Sequence, residues 1–361
     1  MTNVPSFTST DLNIFFQSKR ANVDDNAAAH LVQFIQAAKQ SLDVAIYDLK
    51  ESNVLAALKA ASSKVRLRIR YDGGTGPKIG RTSTTVDPKS PSAAAIKAAS
   101  LSKLAESIHD TGRHLMHNKY IIRDGTAVWT GSGNFTNGGL HLQDNNFMPI
   151  VSQLAASAYA HDFEALTQPG HDKTHAAGAP GKPTVITVGS VKMTLYFSTQ
   201  FLEAEGVETA VIKTLSGANK VRVIAMLVSD AGILRALQGL KAKDIRGVVD
   251  PHEMKQVMKP SKGKSHLDPA LFWFANGDPR FVAAPSHAFS QKDQNDFMHN
   301  KVLIIDDKIV IAGSYNFSEN AELNDENMLV IESAAVAGAY TVYFDALFAQ
   351  YKQHGAPLPP T

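Results

Sequence analysis

The sequence predicts an α/β protein built from two similar halves, and two observations predict it. The chain contains two copies of the pattern H-x-K-x-x-x-x-D, at His117 and His299, and a G-S-x-N segment follows each copy. Corresponding residues of these motifs lie 182 positions apart throughout. Strand-like and helix-like segments also follow one another in the same order around each copy. A duplicated unit, each a sheet with crossover helices, accounts for both observations.

The first half, residues 1–167, shows a β-α-β-α-β rhythm. Residues 12–16 predict an opening strand, and Asp24-Asp25-Asn26 can cap a helix that runs to about Gln40. Glycine and proline interrupt the pattern over 72–92, which predicts a functional loop or a mobile insertion. The remaining predicted elements are strands at 42–49, 65–70, 127–133 and 146–151, and helices at 52–61, 93–106 and 152–166.

The second half, residues 185–361, repeats this order after a linker at 168–184 that is rich in glycine, proline, alanine and histidine. A variable segment at 251–294 takes the place of the irregular segment in the first half. The other predicted elements are strands at 193–197, 221–228, 245–249, 300–305, 309–313 and 327–331, and helices at 230–241 and 334–353.

Composition restricts the class of protein more than its function. Of the 361 residues, 44% are hydrophobic and the net charge is only +2, so a globular protein is expected and bulk electrostatic binding to nucleic acid or membranes is not. The start of the chain shows no secretory signal, and no apolar run is long enough to cross a membrane. We therefore expect a cytoplasmic protein, or a periplasmic or secreted one if a signal peptide has been removed.

The motif residues suit the chemistry of a phosphate group. Strand side chains alternate in direction, so His117 and Lys119 point to one side, as do His299 and Lys301. Lysine and amide groups can bind the non-bridging oxygens, and an imidazole can attack phosphorus or protonate a leaving oxygen. The G-S-x-N segments offer one hydroxyl and one amide each, and we expect them to bind phosphate through Ser132, Asn134, Ser314 and Asn316.

The carboxylates divide into two groups. Asp124 and Asp306 have the opposite parity to the motif histidines and begin turn-like dipeptides, so we predict turn or ion-pair roles for them, with substrate contact as the alternative. Asp144 and Glu326 each lie 27 residues after a motif histidine, and a carboxylate there could orient an imidazole. The neighbouring polar residues leave this register open by one position. No cysteine and no H-E-x-x-H pattern occur, so we expect no metal site.

With these motifs, the chain resembles the phospholipase D superfamily over nearly its whole length. The resemblance implies two α/β halves, each a mixed sheet flanked by helices, packed about a pseudo-twofold axis with both motifs in one cleft. It also implies metal-independent cleavage of phosphodiesters through a phosphohistidine, with no cofactor. His117 matches the usual nucleophile and His299 the usual acid and base. Because one chain carries both motifs, we expect a monomer to be functional.

The substrate class is a separate question, because the superfamily contains nucleases, phospholipases, phosphatidyltransferases and non-enzymatic members. Complete motifs favour an enzyme over a non-catalytic phosphate-binding protein. Four lysines could follow a nucleic-acid backbone or lie on a solvated loop: Lys255, Lys259, Lys262 and Lys264. Residues 271–274 could stack on bases, contact acyl chains or fill the core. We favour nucleic acid over phospholipid headgroups, because no membrane-binding segment is evident.

Overall fold

The computed structural model describes residues 6–75, 82–83, 90–110, 115–168, 183–198, 206–259, 267–287, 295–355 and 358. Most of the predicted linker at 168–184 lies outside these residues. Lys262 and Lys264, in the variable segment of the second half, also lie outside them. No helix among the described residues combines the length and apolar character needed to cross a bilayer.

The first half forms a mixed sheet with helices on both faces. Its strands are β1 (Phe7–Thr8), β2 (Asn13–Ser18), β3 (Val23–Asp24), β4 (Ser41–Ile46), β5 (Arg66–Thr75), β6 (Thr82–Ser83), β7 (Ala105–Asp110), β8 (Lys119–Arg123), β9 (Ala127–Gly131) and β10 (Asn145–Val151). Its helices are α1 (Ala27–Gln36), α2 (Ser52–Ala61), α3 (Pro91–Ala98) and α4 (Gln153–Ala165), with a 3₁₀ turn at Ser102–Leu104 and a π-helix at Gly138–Leu142.

The second half forms a second mixed sheet. Its strands are β11 (Thr184–Val188), β12 (Val191–Phe197), β13 (Lys220–Ala225), β14 (Asp244–Val249), β15 (Phe281–Ala283), β16 (Lys301–Ile305), β17 (Ile309–Gly313) and β18 (Asn327–Glu332). Its helices are α5 (Val207–Leu215), α6 (Ala231–Gly239), α7 (Pro251–Met258), α8 (Glu319–Leu323) and α9 (Ala334–His354), with a 3₁₀ segment at Pro269–Ala275.

The strand order confirms the duplication. The first sheet contains the path β2-β10-β9-β8-β4-β5-β7, and the second contains β12-β18-β17-β16-β13-β14-β15. In both, the strand after the first crossover helix pairs in parallel with the next strand and antiparallel with the motif strand. Both halves therefore have the predicted α/β architecture.

The two closing helices lie between the sheets. Helix α4 contacts β8 and β9 of its own sheet and also β11 and β12, while α9 contacts β13 to β17 and also β1. Along β8, Tyr120 and Ile122 face this shared core, whereas Ile121 faces the outer core with α1 and α2. Both faces of the first sheet are therefore buried, one against the shared core and the other against its own outer helices.

Several element boundaries differ from the prediction. Helix α3 ends at Ala98 because Ser100 adopts a left-handed backbone with φ of 57°, and residue 105 already begins β7. The segment predicted only as variable, 251–294, contains α7, the 3₁₀ segment and β15. Residues 271–274 are buried in the outer core of the second half, so among the roles considered for them they fill the core.

The motif aspartates lie in turns at the end of β8 and β16, far along the strand from the motif histidines. Asp124 adopts φ of 55°, and its carboxylate accepts hydrogen bonds from the backbone amides of Lys39, Gln40 and Ser41 at 2.6 to 3.1 Å. Asp306 adopts φ of 52° and accepts from the amides of Asn219 and Lys220. Each aspartate therefore fastens the start of β4 or β13 to a hairpin turn.

We expect Asp124→Ala to lower the free energy of unfolding by about 2 to 3 kcal/mol, because three backbone amides lose their acceptor and alanine is strained at positive φ. The matched control is Asp307→Ala, because Asp307 has the same left-handed backbone at φ of 53° and its carboxylate makes a surface ion pair with Lys220. It should cost about 1 kcal/mol. Chemical denaturation of both variants measures the difference, and equal losses would contradict the capping role of Asp124.

The same contrast has a defined pH dependence. Although partial burial opposes it, hydrogen bonds from Ser41, Gln40 and Lys39 lower the pKa of Asp124 below 3.8. A carboxyl whose pKa falls on folding stabilises the protein above its unfolded pKa, and that contribution disappears as the pH falls through the folded value. The extra loss in Asp124→Ala should therefore shrink only in strongly acidic solution.

Candidate active site

The segment before each motif strand is hydrogen-bonded to the opposite half. The amide of His117 donates to the carbonyl of Asp325 at 3.0 Å, and the amide of His299 donates to the carbonyl of Asp144 at 3.1 Å. These reciprocal contacts are those of an approximate twofold relation between the halves. They bring both motif histidines into one buried site, in which His117 and His299 are 5% and 4% exposed.

Glu326 holds His117. Its carboxylate lies 2.8 Å from Nδ1 of the imidazole and also accepts from Asn324 Nδ2 at 3.2 Å. The carboxylate therefore comes from the second half and the imidazole from the first. An imidazole that donates from Nδ1 to a carboxylate has its Nε2 lone pair directed away from that partner.

Asn145 holds His299, and the expectation that Asp144 would orient a histidine is wrong. His299 Nδ1 lies 3.1 Å from Asn145 Oδ1. The Asp144 carboxylate instead accepts from the hydroxyl of Tyr351 at 2.5 Å. Burial raises the pKa of Asp144 to about 7, against the lowering effect of hydrogen bonds from Ser18 and Tyr351. Asp144 therefore joins the long helix α9 to the first half.

A one-residue difference between the halves explains this shift. The backbone amide of Ser132 donates to the backbone carbonyl of Asn146, and the backbone amide of Ser314 donates to that of Asn327. The two serines are 182 residues apart, but the two asparagines are only 181 apart. The first half therefore has one more residue between these positions, and Asn145 rather than Asp144 corresponds to Glu326.

The extra residue lies in the π-helix. At its end the amide of Gln143 donates to Gly138, five residues back, whereas in α8 the amide of Asn324 donates to Asn320, four residues back. A π-type turn accommodates one more residue than an α-type turn without changing where the chain enters and leaves. The 181-residue spacing of the two asparagines is the signal in the sequence that could have located this shift.

The two motif lysines are buried beside the histidines. Lys119 Nζ donates to the carbonyl of His117 at 2.5 Å, and Lys301 Nζ donates to that of His299 at 2.6 Å. Burial lowers the pKa of Lys119 to about 7, and burial together with Lys119 lowers the pKa of Lys301 well below 10.5. A bound anion would raise the pKa of both lysines, because an opposite charge favours the protonated form.

Burial also opposes charge on the other groups. The pKa of His117 is well below 6.5 because of burial and the nearby lysines, and the pKa of His299 is low for the same reasons. Burial raises the pKa of Glu326 to about 7, although Lys119 acts in the opposite direction. Five ionisable groups thus share one site that is buried away from solvent. The protonation of each group therefore depends strongly on any anion that binds among them.

The G-S-x-N segments contribute in two ways. Ser132 Oγ donates to Asn145 at 2.7 Å, and a side-chain hydrogen bond links Ser314 to Glu326, so each serine contacts the residue that holds a histidine. Asn134 and Asn316 are half-buried, and their Oδ1 atoms have no hydrogen-bond partner within the described parts of the chain. Ser132 and Ser314 are fully buried, so among the predicted phosphate-binding residues the two asparagines are the more accessible.

The glycine of each segment permits close packing next to the site. Gly131 has φ of 155°, and a Cβ there would lie 2.3 Å from the carbonyl oxygen of Asn146. Gly313 has φ of 144°, and a Cβ there would lie 2.4 Å from that of Asn327. Any side chain would separate β9 from β10, or β17 from β18, and move the residue that holds a histidine.

Tyr47 is a neighbour of the site that the sequence did not single out. The centroid of the Tyr47 ring lies 5.0 Å from the centroid of the His117 ring. Lys119 Nζ lies 5.3 Å from the centroid of the Tyr47 ring. The residue follows β4 and was included in the predicted strand at 42–49. The aromatic ring excludes water from one side of the imidazole and interacts with the lysine through a cation-π contact.

Comparisons with known proteins support the relationship that the motifs suggest. The chain is 27% identical to mitochondrial cardiolipin hydrolase of Xenopus tropicalis over 149 residues, which are 40% of this chain and 62% of that protein. It is 56% identical to a phospholipase D of Rickettsia bellii over 43 residues, which are 12% of this chain and 21% of that protein. The chain thus spans less than two thirds of the length of either relative.

A solved structure shows that the fold is shared. Phosphatidylserine synthase from Haemophilus influenzae Rd KW20 superposes with a TM-score of 0.64 at 11% identity, covering 97% of this chain and 88% of that chain. The family model described as cardiolipin synthase, PLD-like domain, matches residues 31–167 and again residues 211–348. Because these two matches cover most of the chain and each contains one H-x-K motif, the chain belongs to the phospholipase D superfamily.

Proposed function

We propose that this protein is a metal-independent phosphodiesterase that works through a phosphohistidine at His117. The observation that carries the proposal is the contact between His117 Nδ1 and Glu326 at 2.8 Å in a site with two buried lysines. In the first step His117 Nε2 forms a bond to phosphorus while the bond to the leaving oxygen breaks. Glu326 stabilises the positive charge that develops on the ring.

His299 serves as the acid and base on the other side of the phosphate. In the first step its Nε2 gives a proton to the leaving oxygen. In the second step it takes a proton from water, the water oxygen bonds to phosphorus, and the bond from phosphorus to His117 breaks. Burial and the two lysines lower the pKa of His299 in the empty site. The negative charge of a bound phosphodiester would raise that pKa and favour the protonated ring that the first step requires.

Lys119 and Lys301 take the part that metal ions take in other phosphodiesterases. With both lysines and His299 protonated, as the first step requires, and with Glu326 ionised, the site has two net positive charges, of which the single negative charge of a phosphodiester balances one. The amide groups of Asn134 and Asn316 supply further contacts to the non-bridging oxygens. Ammonium and amide groups aimed at an oxyanion in a buried site stabilise the transition state strongly.

Nucleic acid is the substrate class that we propose. Helix α7 begins at the carboxyl end of β14, and its residue Glu253 is close enough to the active-site Lys301 for each to affect the other's charge. Exposed Lys255 and Lys259 lie on and directly after this helix. They could contact phosphates flanking the one that is cleaved, which a nucleic acid has and a phospholipid with a single phosphate lacks.

Phospholipid headgroups are the second candidate. The names of the family model and of the two relatives, which refer to cardiolipin and phospholipase D, favour it. The chemistry at phosphorus would be the same for both classes, because the histidines and lysines contact only the phosphate. Substrate groups outside the phosphate therefore decide between the two.

Incubation with defined substrates tests the proposal directly. We expect cleavage of single-stranded DNA, duplex DNA or RNA, and we expect it to persist in EDTA, because lysines rather than a metal bind the phosphate. Lys255→Glu with Lys259→Glu should weaken nucleic-acid cleavage and flatten its salt dependence. Headgroup release from phosphatidylcholine or cardiolipin vesicles without nucleic-acid cleavage would favour the second candidate. Inactivity on every diester would indicate a non-catalytic phosphate-binding protein.

Two matched substitutions separate the roles of the histidines. His117→Asn should abolish both turnover and covalent labelling by a ³²P-substrate. His299→Asn should let a labelled protein form slowly and then persist, because its hydrolysis lacks the base. Acid-quenched labelling followed by peptide mapping measures both. A label found on His299 in the His117→Asn protein would reverse the assignment.

A further inference from the structure

The two active-site histidines differ in the charge of the group that holds them. Glu326 presents a carboxylate to His117, whereas Asn145 presents a neutral amide oxygen to His299. The lysines are arranged alike in the two halves, each donating to the carbonyl of its own motif histidine. Position 145 is therefore where the approximate symmetry of the site is broken in charge.

Hydrogen bonds fix the orientation of the Asn145 amide. Its Nδ2 donates to the carbonyl of Gly139 in the π-helix at 2.9 Å and to Gln143 Oε1 at 3.3 Å. Its Oδ1 accepts from Ser132 Oγ at 2.7 Å. Because a carbonyl can only accept, the amide nitrogen must face Gly139 and the amide oxygen must face His299. The Nδ1 of His299 therefore carries a proton, and its Nε2 is the reactive nitrogen.

We propose that Asn145 is a positioning residue that reserves His299 for proton transfer, because it fixes the ring without supplying a negative charge. This inference rests on the proposed function. The π-helix is part of the arrangement, since its extra residue brings Asn145 to this position and its Gly139 carbonyl orients the amide.

The charge difference determines what each ring can carry. A protonated imidazole and an N-phosphorylated imidazole that keeps its Nδ1 proton are both positively charged, and a carboxylate against Nδ1 stabilises both. An amide oxygen does so much less. His117 with Glu326 is therefore suited to hold the phosphoryl group, while His299 with Asn145 is suited to release a proton quickly. Although either half contributes a histidine that could attack phosphorus, His117 rather than His299 therefore forms the covalent intermediate.

The test exchanges the charge and records the titration of each histidine by NMR of protein with labelled imidazoles. In Asn145→Asp, the pKa of His299 should rise by roughly 1 to 3 units, a 10- to 1000-fold gain in proton affinity, as expected for a carboxylate in contact with the ring. Glu326→Gln is the reciprocal variant and should lower the pKa of His117. It adds no charge to the interior, so if Asn145→Asp does not fold it still tests whether a carboxylate in contact with Nδ1 raises the pKa of a motif histidine.

Asp144→Asn is the matched control. It removes a buried carboxylate one residue earlier, which is bonded to Tyr351 rather than to an imidazole, so the titration of His299 should stay as in the unmodified protein. A folded Asn145→Asp protein whose His299 titrates unchanged would overturn the inference, as would an unchanged His117 in Glu326→Gln. The titration needs no turnover. Shifts in a protein that cleaves no diester would therefore contradict the proposed function and leave the positioning role supported.

Discussion

The active site depends on hydrogen bonds that cross from one half of the chain to the other. The backbone of each motif histidine is bonded to the opposite half, and so is each imidazole: His117 to Glu326, and His299 to Asn145. Neither half alone would hold its histidine in a defined orientation. The packing of α4 and α9 between the two sheets is therefore a condition for the chemistry as well as for stability.

Burial of like charges is the second constraint. Two lysines and two histidines are buried together, and Glu326 contacts one of the imidazoles. Burial lowers the pKa of the lysines and histidines and raises that of Glu326, so it favours the neutral form of every group. Positive charge on the buried lysines is unfavourable in the empty site and becomes favourable when an anion binds. The protein has therefore already placed the groups that bind a phosphodiester before the substrate arrives. The motif aspartates take no part in this balance, since they bond backbone amides at the far ends of the motif strands.

Local patterns in the sequence predicted a large part of this arrangement. The fixed 182-residue spacing predicted the two halves, and strand parity separated Asp124 and Asp306 from the motif histidines and lysines. The register of Asn145 could not be read in the same way, because a single wider turn in a helix hardly changes hydrophobic periodicity. Which half supplies the partner of each histidine depends on tertiary packing, and so does the position of Tyr47 beside His117. Sequence spacing carries no information on either.

A crystal structure with orthovanadate would show whether both halves contribute to a single phosphate-binding site. Vanadate adopts the five-coordinate geometry of phosphoryl transfer and needs no knowledge of the natural substrate. We expect a single vanadate bound to Nε2 of His117, with Nε2 of His299 on the opposite side and with Lys119 and Lys301 on its equatorial oxygens. Two separate anions, or one anion bound by the residues of a single half, would mean that the halves do not share one active site.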